Sequence, residues 1–432
     1  MKYEKKTVKV LTAAQTLSAG IDIGSDQVTC VIGVVDESLR KVNILGSSIV
    51  RCNDKRSIEA GEIKNIVEAS HTIEAALEEA QRFAGGEASH FIIAVRGSFI
   101  EARRATGKAS TDTSTREVTQ DTMDNAINNA RDVITGDLSY ASDILQIIPN
   151  DFILDGATGI QQPLGMGGIN LEIEVHALAA PILKMENIDK ALKMANIDYV
   201  NKVYSYIAAS DILVRQDEKE LGCLVVDFGG STIGLVLYIE NLKFIYEIRA
   251  GSDLITKAIS LYLRAPRHEA RRIKEEFGSA VIGDDFENSE FEYLGADGTT
   301  INRNERVHLV REVIQPEMDR ILKEIENVLE KKGYGKDKLS GGIILTGGGS
   351  RMQGMRDAFE RFFDGCSVRI AKPLDDKVTG IREITSNPSY TAAIGALYYM
   401  LSDEQEQIGG RESSLEFSGI LSKIKKFLKG IF

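Results

Sequence analysis

Residues 224–239 read LVVDFGGSTIGLVLYI, and the reading of this stretch decides the fold. The apolar run Leu224-Val225-Val226 ends in Asp227, Phe228, Gly229, Gly230, Ser231 and Thr232, and a second apolar run, Leu235-Val236-Leu237, follows at once. Two strand-forming runs around a turn of glycines and hydroxyls predict a β-hairpin, with a carboxylate at the end of its first strand. Glycines let the backbone approach a ligand with no Cβ in the way, and successive N–H groups in such a turn form a concave anion site. A phosphate fits there.

Residues 20–35, GIDIGSDQVTCVIGVV, repeat the pattern, with Asp22, Gly24 and Ser25 between an apolar start and a strand over 28–35. The copies lie about 200 residues apart, the length of a domain-sized half, which predicts two similar halves gripping one polyphosphate across a cleft. A third element, residues 341–350, GGIILTGGGS, is an apolar strand running into a triple glycine and Ser350, with a helix expected over 352–363. Each glycine turn taken alone reads first as structural; the recurrence and order of the three carry the functional reading. No GxxxxGK[ST] and no strict GxGxxG occurs.

A chain of 432 residues is long enough for several cores, and its composition is that of a globular protein. Its net charge of -12 argues against a general nucleic-acid binder, which would need Lys and Arg to neutralise phosphates. Cys30, Cys52, Cys223 and Cys366 are scattered with no CxxC, as suits reduced thiols, and the five histidines are equally dispersed, so a zinc site is not expected. No apolar run reaches the roughly 18 residues of a spanning helix, and residues 8–19 are too polar for a signal peptide. Residues 1–18 read as a solvated N-terminal extension.

Along the chain, a strand is expected over 41–50, a helix over 66–83 stopped by Gly85-Gly86, and a buried strand over 91–95, the mixture of an α/β domain. A small inserted α+β subdomain follows at 98–180. In it the Ser/Thr-rich run 106–115 reads as a loop, 120–134 as a helix, and 144–148 and 152–154 as strands around Pro149-Asn150. Residues 169–177 alternate strictly, a half-exposed strand. The pattern from 306 to 332 predicts a long amphipathic helix that Pro316 kinks or divides.

From 402 to 418 the composition is that of a linker, and the chain closes on GILSKIKKFLKGIF, residues 419–432. Ile420, Leu421, Ile424, Phe427, Leu428, Ile431 and Phe432 fall on one helical face, Lys423, Lys425, Lys426 and Lys429 occupy the rest, and no acid intervenes. This is the pattern of a helix lying in an anionic membrane surface. The alternative is a helix packed on its own body or in a partner's groove.

The three glycine motifs resemble the phosphate-1, phosphate-2 and adenosine motifs of the actin, sugar kinase and Hsp70 ATPases. Stretches such as KELGCLVVDFGGST, GGIILTGGGSRMQGM and NPSYTAAIGALYY, with the insertion and the terminal helix, resemble the FtsA family of bacterial actin-like cell-division proteins over nearly the whole chain from about residue 19. The resemblance implies an α/β, two-lobed actin-like fold with duplicated ribonuclease H-like halves. The first lobe would comprise 19–97 and 181–221, the second 222–253 and 311–401, with 254–310 as a subdomain of the second. It implies ATP as cofactor. On so acidic a chain the triphosphate would be met most simply by Mg²⁺ held through water by Asp22 and Asp227, the residues closest to a catalytic role.

Carried over residue by residue, Asp22, Gly24 and Ser25 match phosphate-1; Asp227, Gly229, Gly230, Ser231 and Thr232 match phosphate-2; Gly347, Gly348 and Gly349, with Ser350, match the adenosine loop; and Lys274 matches the lysine near the ribose. Three positions depart from the pattern: Gln27 stands for a lysine, Gly234 for an aspartate and Arg271 for a ribose-binding glutamate. Binding survives such losses more easily than hydrolysis, which also needs a positioned water, so slow turnover at most is expected.

The family further implies self-assembly into a polymer and a peripheral place on the cytoplasmic side of the cell membrane at the division site, as part of the septal divisome. It implies tethering of FtsZ filaments, the Z ring, through the FtsZ C-terminal tail, and other division partners on residues 98–180. Arg303 and Arg306 are candidates to meet the acidic tail, a solvated basic turn being the alternative. The rival readings are another actin-like membrane scaffold of the pilus-assembly type, or a sugar or acid kinase, for which no carboxylate base beside an acceptor pocket stands out.

Overall fold

The computed structural model describes residues 16–52, 57–197 and 201–401. Most of the expected N-terminal extension, the expected linker and the expected terminal amphipathic helix lie outside the described residues. Two sheets dominate, and they are built alike. In the first, Leu17–Ile23, Gln27–Asp36 and Lys41–Arg51 form an antiparallel meander, and Leu17–Ile23 continues on its other side into the parallel strands His90–Val95 and Asn201–Tyr204. In the second, the meander Cys223–Phe228, Ile233–Ile239 and Asn241–Ile248 is continued by the parallel strands Gly342–Thr346 and Val368–Ile370. The first sheet gains one more strand, Val378–Gly380, delivered from the C-terminal part of the chain.

Why the hairpin at 224–239 dictates this arrangement is visible in its burial. Every residue of Cys223–Phe228 is buried, as a central strand covered on both faces requires. Successive side chains point to opposite faces. Cys223 and Val225 therefore join a core shared with the first lobe, whereas Leu224, Val226 and Phe228 join the core of the second. The second core is completed by the helix Gln315–Lys331, which buries Met318, Ile321, Leu322, Ile325, Val328 and Leu329 along one face.

Pro316 leaves a local signature. The helix Arg306–Leu309 passes into a π turn, Val310–Ile314, before Gln315–Lys331 begins. The amide of Gln315 bonds Val310 O, five residues back. Because proline has no N–H to donate, the wider turn takes up the mismatch and the helix continues.

The inserted subdomain is a four-stranded sheet in the order Glu101–Ser110, Asn170–Pro181, Ser142–Leu154, Ala157–Ile160, with the helix Gln120–Asp137 packed on it over a separate core. Here two expectations are corrected. Residues 106–110 are not loop but the end of the strand Glu101–Ser110. It is an edge strand, mostly exposed, whose small Ala105 and Ala109 pack inward and whose Lys108 pairs with Glu172 at 2.9 Å, so it lacks the apolar alternation that betrays a strand. Pro149 does not separate two strands either. Asn150 is bulged out of one continuous strand, leaving Asp151 opposite Glu174 and Pro149 opposite Val175.

Leu322→Ala should destabilise the chain by about 2–5 kcal/mol in urea unfolding, against about 0.5 kcal/mol or less for Glu324→Ala on the exposed face of the same helix. Equal effects would contradict this orientation of the helix.

Candidate functional site

The two hairpin turns are closed by equivalent bonds: Gly24 N–H donates to Gln27 O at 3.1 Å, and Gly229 N–H to Thr232 O at 3.0 Å. They meet tip to tip, with the hydroxyl of Ser231 donating to Ser25 Oγ at 2.6 Å. Beside them opens a cavity of about 500 Å³, lined by Asp22, Gly24, Ser25, Gln27, Asp227, Gly229, Gly230, Ser231, Thr232, Lys274, Gly347, Gly348 and Gly349. That volume suits a small-molecule ligand. Lys274 donates to Ser252 O at 3.2 Å, and burial holds its ammonium below the usual lysine range.

Gly347 closes the floor. Its φ is +83°, and a Cβ there would lie 2.5 Å from Asp227 Oδ1 and 2.7 Å from Phe228 O, so only glycine fits. Ser350, expected on the ligand, is instead buried off the cavity wall, where its hydroxyl donates to Gly347 O at 2.7 Å and braces the loop.

One residue that motif reasoning missed occupies the centre. Arg96 follows directly on the strand His90–Val95 and points between the two carboxylates. Its Nη2 lies 2.7 Å from both oxygens of Asp22, and its Nη1 lies 3.5 Å from Asp227 Oδ1. All three side chains are at most a tenth exposed. Burial opposes the guanidinium charge, but Asp22 and Asp227 more than offset it, and its pKa stands well above the ordinary arginine value. Burial raises the Asp227 carboxyl, with Arg96 pulling the other way.

A second polar layer lies behind. The Tyr206 ring sits 5.4 Å from the Arg96 guanidinium carbon and fills the space above Gly234, where an added Cβ would lie 2.3 Å from it. Its hydroxyl donates to Glu247 at 2.6 Å, and Gly97 N–H donates to the same carboxylate oxygen at 3.2 Å. Burial pushes Glu247 up to about 7. An aspartate at position 234 would collide with this ring, which gives the departure at Gly234 a steric reason.

The pair Asp22 and Asp227 was expected to hold Mg²⁺ through water. With both oxygens of Asp22 and one of Asp227 engaged by a buried guanidinium, the donor set does not fit that ion. Among the described residues no group of three or more His, Cys, Asp and Glu is disposed to hold a metal.

Two further arginines are reassigned. Arg271, noted as a departure near the ribose, pairs with Asp26 at 2.9 Å across the cleft mouth. Arg306, a candidate for an acidic partner, is spent internally: it donates to Phe277 O and Glu287 O at 2.9 Å each and to Gln353, and it stacks on Phe286. Arg303 remains exposed beside Glu292, its cross-strand neighbour in the hairpin Glu290–Leu294 and Ile301–Glu305.

Comparison with known proteins gives the family and the fold. The family model for cell division protein FtsA matches residues 224–395, and that for the SHS2 domain inserted in FtsA matches residues 97–179, together more than half of the chain. The chain belongs to the FtsA family. It is 26% identical over 429 residues to cell division protein FtsA of Pseudomonas aeruginosa, covering 96% of this chain and 97% of that one. It is 27% identical over 395 residues to the FtsA of Escherichia coli, covering 89% and 90%. Among solved structures it resembles the PilM-PilN type IV pilus biogenesis complex, with a TM-score of 0.62 at 14% identity over 90% of this chain and 100% of that one. It also resembles MreB5 of Spiroplasma citri bound to ADP, with a TM-score of 0.53 at 12% identity over 91% and 99%. These likenesses show the actin-like fold that the FtsA family shares.

Because Glu247 holds its proton more tightly folded than unfolded, the folded state binds more protons between pH 4.5 and about 7. Its contribution to stability is complete below that window and lost as pH rises through it, on the order of 3 kcal/mol. Glu247→Gln should flatten this part of the stability-against-pH curve measured by urea unfolding; an unchanged slope would exclude Glu247 as its source.

Proposed function

We propose that this FtsA-family chain binds ATP between its lobes, assembles into a polymer, and tethers FtsZ filaments to the cytoplasmic face of the membrane at the division site. One observation carries the nucleotide part: two equivalent glycine-hydroxyl turns, one from each lobe, meet at a single cavity whose floor is a triple-glycine loop. Backbone N–H groups at such turns suit phosphates, and the relative whose structure holds ADP has the same fold. Asp22 and Asp227 then act as positioning carboxylates beside the phosphates. Asp22 is held by Arg96 through both oxygens, which favours a positioning role over activation of a water and fits slow turnover.

The lobes divide the remaining work. Residues 254–310 present exposed Leu261, Tyr262 and Ile301 with Arg303, a surface suited to an amphipathic acidic tail. The inserted subdomain, 98–180, exposes Val133, Tyr140, Met166 and Ile169 for contacts with the chain itself or with other division proteins. No helix among the described residues is long and apolar enough to cross a membrane. Membrane attachment falls to residues 419–432, where each lysine contributes about 1 kcal/mol near anionic lipid. A single chain binds reversibly on those terms, and linking chains in a polymer raises avidity by on the order of 10² to 10⁴.

Gly348→Leu should lower ATP affinity by about tenfold or more, measured by calorimetric titration, because position 348 lines the cavity. It should fold normally, since an added Cβ meets only Ser389 Oγ, at 3.6 Å. Wild-type affinity in this variant would move the nucleotide elsewhere. Deleting residues 419–432 should abolish co-sedimentation with anionic liposomes and leave ATP binding intact; retained co-sedimentation would refute the anchor.

A further inference from the structure

Two buried carboxylates, one from each lobe, face one cavity, and a cation between them relieves their repulsion. The structure supplies one from the chain itself. Arg96 grips Asp22 with two contacts of 2.7 Å and reaches Asp227 at 3.5 Å, and all three residues line the cavity. Its Nη1 lies 3.7 Å from where a Cβ on Gly229 would stand, within the second phosphate-type turn. Its Nε is buried without a hydrogen-bond partner. A guanidinium is planar, permanently charged and able to serve several oxygens at once, so it can hold two carboxylates and still present donors to a third anion.

We propose that Arg96 is the resident counter-cation of this cleft, and that a nucleoside triphosphate binds here without needing a divalent metal ion. The inference rests on the reading of the cavity as a nucleotide site and deepens it. Lys274 and Arg351 also line the cavity, as do Asp26, Glu275 and Glu276, with Arg51 paired to Glu275, so Lys274 and Arg351 are the cations left to meet a polyphosphate beyond the glycine amides. A divalent ion seated between the same carboxylates would have to displace a buried guanidinium. Removing one partner of such a buried cluster strands the other charges, which is what holds Arg96 in place.

The full-length chain should be titrated with ATP in magnesium and again in excess EDTA, alongside Arg96→Gln. Wild type should keep its affinity within about tenfold when the metal is removed, whereas Arg96→Gln should lose about tenfold or more in EDTA and recover when magnesium is restored, the ion now replacing the lost charge. A wild-type affinity that collapses in EDTA but stands in magnesium overturns the inference and leaves the nucleotide site intact. Absence of ATP binding in both buffers overturns both. Metal-independent binding by a folded Arg96→Gln overturns the role given to Arg96. Should circular dichroism show that variant unfolded, the wild-type comparison alone decides.

Discussion

Neutralising two carboxylates that the fold buries opposite each other is the constraint from which the rest of the cleft follows. Asp22 and Asp227 occupy equivalent places, each the penultimate residue of the first strand of its meander. Duplicating the sheet therefore brings two negative charges together where the lobes meet. In a medium of low dielectric that arrangement is costly unless a cation is interposed. Arg96 is that cation, and its position just past the strand His90–Val95, parallel and adjacent to Leu17–Ile23, is fixed by the same sheet that places Asp22. Tyr206 then covers the guanidinium, and Glu247, held by the Tyr206 hydroxyl and the Gly97 amide, closes the layer from the second lobe.

The duplicated hairpins were legible in the sequence because their signal is local: apolar runs broken by an acid, glycines and hydroxyls at fixed spacing. Gly347 was legible for the same reason. Arg96 was not. The stretch FIIAVRGSF reads as a buried strand ending in a charged residue, and nothing nearby says that the charge turns inward, since its partners lie 74 and 131 positions away in sequence. Arg306 misled in the opposite sense. A basic residue after an acidic stretch reads as a solvated binding group, but the carbonyls of Phe277 and Glu287 that consume its donors come together only through the tertiary fold. The strand at 101–110 escaped because an edge strand with one solvated face carries little apolar pattern.

The links between the lobes differ in kind. Near its mouth, Arg51 pairs with Glu275 at 2.9 Å with both side chains about half exposed, and such a pair is worth about 0–1 kcal/mol. The Asp26–Arg271 pair is better shielded, and the contact between Ser25 and Ser231 joins the turn tips. At its base, the contacts of Arg96 with Asp227 and of Tyr206 with Thr232 are buried, and that of Tyr206 with Glu247 is partly so. The cross-lobe contacts at the mouth are therefore weaker than those at the base. The Ser25–Ser231 contact joins the lobes at the mouth, above the buried carboxylates and Arg96. Because the base is made of charges that neutralise one another, its integrity depends on Arg96 keeping both carboxylates satisfied.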